Sequence, residues 1–208
     1  MTTDVVFDFG AVLFSWRPDL LVAEQFPTQA ATPQAARALA HDIFHHDDWV
    51  SFDRGVLALD HVIERTARRL ALPHHHMSTL MSGIGERLAP IPDTLELLTR
   101  LRARREQHGD VRLYFLSNMP APFARVLEHR HDFLRWFDGG VFSGDVQLTK
   151  PDPAIYALLE TRFGLEPART VFVDDLAANV AVAQARGWRG IRFESAAQVE
   201  PHLIRPLA

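Results

Sequence analysis

Hydrophobic and polar positions follow two different rhythms along this chain. Val5-Val6-Phe7 is a short β-branched and aromatic run that predicts a buried strand, and Asp8 stands where that strand should end. The pattern then turns helical. Leu20-Leu21-Val22-Ala23 opens a first helix, and Thr32-Pro33 reads as an N-cap with proline at the first helical position, ahead of a helix through Ala35 to Phe44. Leu59, Val62, Ile63, Thr66, Ala67 and Leu70 repeat at the spacing of one amphipathic helical face, stopped by Leu72-Pro73. A further helix is expected over His75 to Leu88, weakened by Gly83 and Gly85.

Ala89-Pro90-Ile91-Pro92 punctuates the chain, and Asp93 reads as the cap of a helix through Leu95, Leu98 and Leu101 that ends at His108-Gly109-Asp110. From there strands and helices alternate. Val111 to Leu116, Val141-Phe142, Val171-Phe172-Val173 and Trp188 to Phe193 predict strands. Helices are expected around Ala121 to His129, after Asp152-Pro153, and over Leu176 to Arg186 with Gly187 as its stop. This alternation predicts an α/β fold with a doubly wound, Rossmann-like parallel sheet. A parallel crossover needs only a dozen or more residues, yet about a hundred separate Asp8 from Val111. The economical account is an inserted, all-helical cap at 15–88, with 1–14 and 89–208 forming the core. Helices there would cover the carboxyl end of the first strand, or simply pack on the sheet; periodicity does not separate the two.

Composition narrows the function. The chain has 208 residues, is 47% hydrophobic and carries a formal net charge of −4, with a pI near 6.2. That balance argues against a nucleic-acid partner. Cysteine is absent, which removes thiol catalysis and cysteine zinc sites. No leader pattern and no long apolar run occurs, so the expectation is a soluble, cytoplasmic monomer or weak homodimer without a membrane partner. His45-His46-Asp47-Asp48 and His74-His75-His76 look like metal tracts. Adjacent helical histidines diverge by about 100°, so a solvated surface is the simpler reading.

The chemistry gathers at the predicted strand ends, where ligands bind in open parallel sheets. Asp8 alone reads as a turn or cap residue. It is joined by Ser117-Asn118 after the second strand, Asp174-Asp175 after the fourth, and Lys150 before the Asp152 helix. Three clustered carboxylates repel unless a cation sits among them. Oxygen-only ligands favour a hard ion, Mg²⁺ first, which often shares its shell with phosphate. Lys150 and the Ser117 hydroxyl can hold an anion against that ion.

Phe7-Asp8-Phe9-Gly10-Ala11-Val12, Leu116-Ser117-Asn118, Lys150-Pro151-Asp152 and Phe172-Val173-Asp174-Asp175 resemble, in order, the four motifs of the haloacid dehalogenase-like hydrolase superfamily, in its helical-cap form. The stretch from Val171 to Gly187 is similar to the branch that holds bacterial α-glucose-1-phosphate phosphatases, and to the phosphatase domain of soluble epoxide hydrolases. The resemblance implies a Mg²⁺-dependent phosphatase acting on a small phosphorylated metabolite, sugar phosphates first. It implies Asp8 as nucleophile, forming an aspartyl phosphate. It implies Mg²⁺ on Asp8, the Gly10 carbonyl and Asp175, with Asp174 holding a metal-bound water. Ser117 and Asn118 would grip the phosphoryl oxygens, Lys150 would offset charge, and Asn179 would support the acidic pair.

One position departs from that pattern. Most phosphatases of the superfamily carry a second aspartate two residues after the nucleophile, and Gly10 stands there. A good leaving group would lessen the need for that acid. The alternatives are a 2-haloacid dehalogenase, which also lacks the second acid, and a degenerate binding protein. Asp174-Asp175 weigh against the first, and the complete set of Asp8, Ser117, Lys150 and Asp175 against the second. A response-regulator receiver places its acidic pair before its phospho-acceptor, the reverse of the order here. Arg54-Gly55 precedes the Leu59 helix, where such caps place a specificity loop, so Arg54 reaches substrate or lies in a surface turn. Trp16 and Arg17 face the cleft or fix the cap hinge, and Trp136 and Phe137 read as core.

Overall fold

A computed structural model describes residues 2–204. Among them the sheet has five strands, β1 Thr3–Phe7, β2 Val111–Ser117, β3 Gly139–Phe142, β4 Thr170–Asp174 and β5 Arg189–Arg192, in the order β3-β2-β1-β4-β5. Every pairing is parallel: Val5 lies opposite Leu113 and Val171, Leu116 opposite Val141, and Val173 opposite Ile191. β1 at the centre is buried along its whole length.

Successive residues of a strand face opposite sides, and here both sides are covered. Val5, Phe7, Leu113, Val171 and Val173 point into one core, with Leu97, Leu98 and Leu101 of helix Pro92–His108 and Val199 and Leu203 of the terminal helix Ala196–Ile204. Val6, Tyr114, Leu116 and Phe172 point into the other, with Ile155, Tyr156 and Leu159 of helix Pro153–Phe163 and Ala183 of helix Ala177–Ala185. The doubly wound sheet expected from the alternation is therefore present.

In chain order the helices are α1 Pro18–Gln25, α2 Pro33–Phe44, α3 Asp47–Asp53, α4 Leu59–Arg69, α5 His74–Ser82, α6 Ile84–Arg87, α7 Pro92–His108, α8 Ala121–Arg130, α9 Ser143–Val146, α10 Pro153–Phe163, α11 Ala177–Ala185 and α12 Ala196–Ile204. The Thr32 hydroxyl caps α2 by accepting from the Ala35 amide at 3.1 Å, and the Asp152 carboxylate caps α10 by accepting from Ala154 at 2.9 Å. The expected helix over His75 to Leu88 divides at Gly83, which ends α5 and begins α6. Asp93 sits inside the first turn of α7 rather than capping it, because Pro92 already occupies a helical position. The pattern gives no sign of α3, whose sequence is rich in polar groups; the His46 ring nitrogen caps it by accepting from the Asp48 amide at 3.1 Å.

α1 to α6 lie between β1 and α7. Val22, Ile43, Val62, Met77 and Leu80 carry their apolar faces into the same core as one face of the sheet. The entry and exit of this helical stretch run side by side: the Ser15 amide donates to the Ala89 carbonyl at 2.8 Å, and the Ile91 amide to the Leu13 carbonyl at 2.9 Å. α3 docks through aromatic rings, with Phe52 edge-on to Phe123 of α8 at 5.4 Å and Trp49 edge-on to Phe52 at 5.5 Å. Among the described residues no helix is long and apolar enough to cross a membrane.

Two glycines separate cleanly. Gly55, just after α3, has φ +77° and presses on Gly144, whose carbonyl oxygen a Cβ would strike. Gly10 has no such constraint, since a Cβ there would meet nothing nearer than Trp16 Cβ at 3.9 Å. Gly55→Ala is therefore expected to lose more than about 1 kcal/mol in urea unfolding, whereas Gly10→Ala should hold or gain a few tenths. Equal losses at the two positions would contradict this packing.

Candidate active site

The site is built where the strands stop. β1 ends at Phe7, and the next amide, that of Asp8, still pairs with the Val173 carbonyl at 2.9 Å, so the Asp8 side chain is fixed at the sheet edge. The chain then turns sharply: the Phe9 carbonyl accepts from the Leu13 and Phe14 amides at 2.9 and 2.7 Å, and Ala11 takes φ +57°. The turn leaves the Phe9 amide free to donate to Asp8 Oδ1 at 2.7 Å.

Lys150 is the hub. Its Nζ lies 2.8 Å from Asp8 Oδ1 and 2.7 Å from Asp174 Oδ2, and all three side chains are buried or nearly so. Its backbone is clamped by Asn118, whose Oδ1 accepts from the Lys150 amide at 2.8 Å and whose Nδ2 donates to the Lys150 carbonyl at 2.9 Å. The β2 end thus sets the position of the lysine, a role for the Asn118 side chain that nothing in the sequence pattern revealed. Asp174 is held as firmly: the Asn179 Nδ2 donates to both its oxygens at 3.0 Å, and the Leu176 amide donates to Oδ1 at 2.8 Å.

One carboxylate oxygen each from Asp8, Asp174 and Asp175 lies within 4.8 Å of the others, a spacing that could hold a metal ion. A single lysine touches two of these three acids, so negative charge is in surplus. Burial, opposed by Lys150 and reinforced by Asp174, pushes Asp8 up to about 7. Burial and then the Asp174 charge raise Asp175. Burial works against the Lys150 ammonium, but Asp8 and Asp174 outweigh it and keep the lysine charged above its usual range. The Ser117 hydroxyl is buried with no hydrogen-bond partner in the protein. An orphaned donor at the same sheet edge as an acidic cluster suits a group that brings both acceptor oxygens and a cation. The donor set, all hard oxygens, fits Mg²⁺.

The structure brings Asp8, Lys150, Asp174 and Asp175 together and ties Asn118 to them through the Lys150 backbone. Gly10 lies in the turn after Asp8, near Trp16. Arg54 is exposed at the rim, where its guanidinium donates to the Thr149 hydroxyl at 3.4 Å, one residue before Lys150. The histidine tracts stay apart from this centre: His46 caps α3, and His76 bonds the Gln25 carbonyl at 3.1 Å.

A family model described as haloacid dehalogenase-like hydrolase matches residues 81–187. The chain is 28% identical to the sesquiterpene phosphatase astK of Aspergillus oryzae over 188 residues, covering 90% of this chain and 88% of that protein. It is 26% identical to the drimenol cyclase drtB of Aspergillus calidoustus over 98% of this chain, but spans only 36% of that relative's length. Two solved structures share the fold. One is a HAD family enzyme from Bacteroides thetaiotaomicron in complex with magnesium and inorganic phosphate, with TM-score 0.74, 17% identity, and 99% and 100% of the two chains covered. The other is an L-2-haloacid dehalogenase from Xanthobacter autotrophicus, with TM-score 0.68, 20% identity, and coverage of 100% and 85%.

The raised Asp8 carboxyl carries a stability consequence. Between its ordinary value of 3.8 and about 7, the folded protein keeps a proton that the unfolded chain has lost. Asp8 therefore costs the metal-free fold stability as pH rises through that window, and no more above it. In urea unfolding with chelator, Asp8→Asn should become progressively more stable relative to the unaltered chain from about pH 4 to about pH 7. A difference that is flat with pH would contradict the burial of an ionising Asp8.

Proposed function

This chain belongs to the haloacid dehalogenase-like hydrolases, and from that premise we propose that it is a Mg²⁺-dependent phosphatase working through an aspartyl phosphate at Asp8. The observation that carries the reading is the trio of Asp8, Asp174 and the half-buried Asp175, with one lysine on the two buried acids and the Ser117 hydroxyl left unpartnered at the same sheet edge. An acid cluster with surplus charge calls for a cation, and the idle hydroxyl calls for an acceptor. A magnesium-bound phosphate ester supplies both. The helical stretch 15–88 would act as the cap over a core of 1–14 and 89–208.

In this reading Asp8, Asp175 and the Gly10 carbonyl would hold Mg²⁺, with Asp174 reaching it through water. Bound there, the ion would neutralise phosphoryl charge and align the ester for in-line displacement. The protein's own groups do the rest. An Asp8 oxygen attacks phosphorus, the ester oxygen departs, and water then attacks phosphorus to free phosphate and restore the carboxylate. Lys150 balances the charge that passes between Asp8 and the phosphoryl group. Ser117 Oγ and the Asn118 backbone grip the phosphoryl oxygens, and Asn179 keeps Asp174 turned toward the centre. Arg54, at the rim, would meet the part of the substrate that lies outside the phosphate.

The substrate we infer is a small phosphorylated metabolite. Sugar 1-phosphates come first, because position 10 offers no acid and an anomeric hydroxyl leaves more readily than an ordinary alcohol. The α-glucose-1-phosphate phosphatase branch is the corresponding subfamily. A second class, an isoprenoid phosphate, is favoured by the similarity to a sesquiterpene phosphatase. It is also favoured by an apolar wall beside Gly10, where Trp16 packs edge-on to Phe44 at 5.2 Å. The dehalogenase alternative gains nothing from Asp174 and Asp175, since a departing halide needs no cation behind it.

A panel of sugar phosphates, isoprenoid phosphates and 2-haloacids, assayed with Mg²⁺ and with chelator, tests the reading. The expected result is phosphate release that needs Mg²⁺ and falls by at least about 10³-fold in Asp8→Asn. Halide release that survives chelation would establish the dehalogenase instead. Absence of both activities, with no Mg²⁺ binding by calorimetry, would leave only a binding protein.

A further inference from the structure

The expected acid is missing from position 10, yet another carboxyl approaches the centre from the opposite side. Asp53 ends α3, and its loop is latched to the core at three points. The Asp53 carbonyl accepts from Ser143 Oγ at 2.5 Å, and that same Oγ accepts from the Met119 amide at 2.8 Å, two residues beyond Ser117. Arg54 donates to the hydroxyl of Thr149, which adjoins Lys150. Gly55, in its left-handed conformation, closes directly on Gly144. The loop therefore bridges the two strand-end segments that carry Ser117 and Lys150.

This placement sets Asp53 against the segments that follow β2 and β3. The Trp49 side chain donates to its carboxyl, and the carboxyl interacts electrostatically with both Asp8 and Lys150. Asp53 is nevertheless no member of the metal-spaced trio. In an in-line displacement the leaving oxygen lies opposite the attacking one, on the side away from the Asp8 strand end. A group on the helical side can reach that oxygen, and Asp53 comes from there.

We propose that Asp53 is the proton donor to the leaving group, doing from the cap what an aspartate at position 10 would do from the core. This rests on the phosphatase reading and deepens it. As the bond from Asp8 to phosphorus forms and the bond from phosphorus to the ester oxygen breaks, the Asp53 proton passes to that oxygen, which leaves as the alcohol. Asp53, now a carboxylate, takes a proton from the water that attacks the aspartyl phosphate, which regenerates both Asp53 and Asp8. The sum is ester plus water giving alcohol plus phosphate. Burial, reinforced by Asp8 and opposed by Trp49 and Lys150, raises Asp53 well above the ordinary carboxylate range, the direction a proton donor needs. With such a donor the enzyme need not be confined to good leaving groups.

The test is the dependence of kcat/KM on leaving-group acidity with Mg²⁺ present, from p-nitrophenyl phosphate to simple alkyl phosphates. Asp53→Asn keeps the shape and an acceptor for Trp49 but has no acidic proton. It should leave kcat/KM for p-nitrophenyl phosphate, which stops at phosphoenzyme formation, within a few-fold and lower kcat/KM for alkyl phosphates by about 10²-fold or more. Adding Gly10→Asp, for which the turn has room, should restore much of the alkyl phosphate turnover. Equal loss across the series with no recovery in the double variant, or no loss at all, would overturn the proposal. If the unaltered enzyme releases phosphate from none of the esters, the phosphatase reading itself falls and takes this with it. If it is active and the two dependences coincide, only the role of Asp53 falls.

Discussion

The contact on which the rest depends is the lysine between two acids. Lys150 Nζ sits 2.8 Å from Asp8 and 2.7 Å from Asp174, in a place where an unpaired charge would be costly. Those two acids come from neighbouring central strands, and the lysine comes from the turn before α10. One cation thus ties three separate chain segments at one sheet edge. It does not balance the charge, because Asp175 remains beside the pair, raised by burial and by Asp174. In the proposed reading that remaining negative charge would be met by a metal ion, which a closed structural ion pair would not need.

The supporting groups are arranged to keep this contact rigid. Asn118 fixes the lysine through its backbone, Asn179 fixes Asp174 through both oxygens, and the turn after Asp8 fixes Asp8 through the Phe9 amide. Each is a short polar side chain or amide at an element boundary, where backbone groups are available. The helical stretch is attached with comparable care. Its two connecting segments pair with each other, and α3 is held by the Trp49, Phe52 and Phe123 rings, so the loop at Asp53 has a defined place over the strand ends.

Much of this was legible in the chain because the relevant signals are local. Val5-Val6-Phe7 followed by Asp8, and Val171-Phe172-Val173 followed by two aspartates, mark buried strands that end in acids whatever the tertiary fold. Thr32-Pro33 and Asp152-Pro153 announce their helices through capping chemistry that needs no neighbours, and both caps are formed. What the sequence hid depends on partners far along the chain. α3 is short and polar, and is stabilised by rings from α8 that no window of sequence contains. The Asn118 clamp needs Lys150, 32 residues away, and Asp53 acquires its surroundings from Ser143, 90 residues away. Gly10 reads as a turn glycine, but the turn's left-handed residue is Ala11, which leaves position 10 free of backbone demand.

In the proposed mechanism Asp8 itself receives the phosphoryl group. Rapid acid quench during turnover of a phosphate ester with Mg²⁺, followed by peptide mass spectrometry, addresses it directly. A phosphoryl group is expected on the peptide that carries Asp8, and none when Mg²⁺ is chelated. Steady turnover with no phosphoryl group on that peptide, or with the group on another residue, would contradict it.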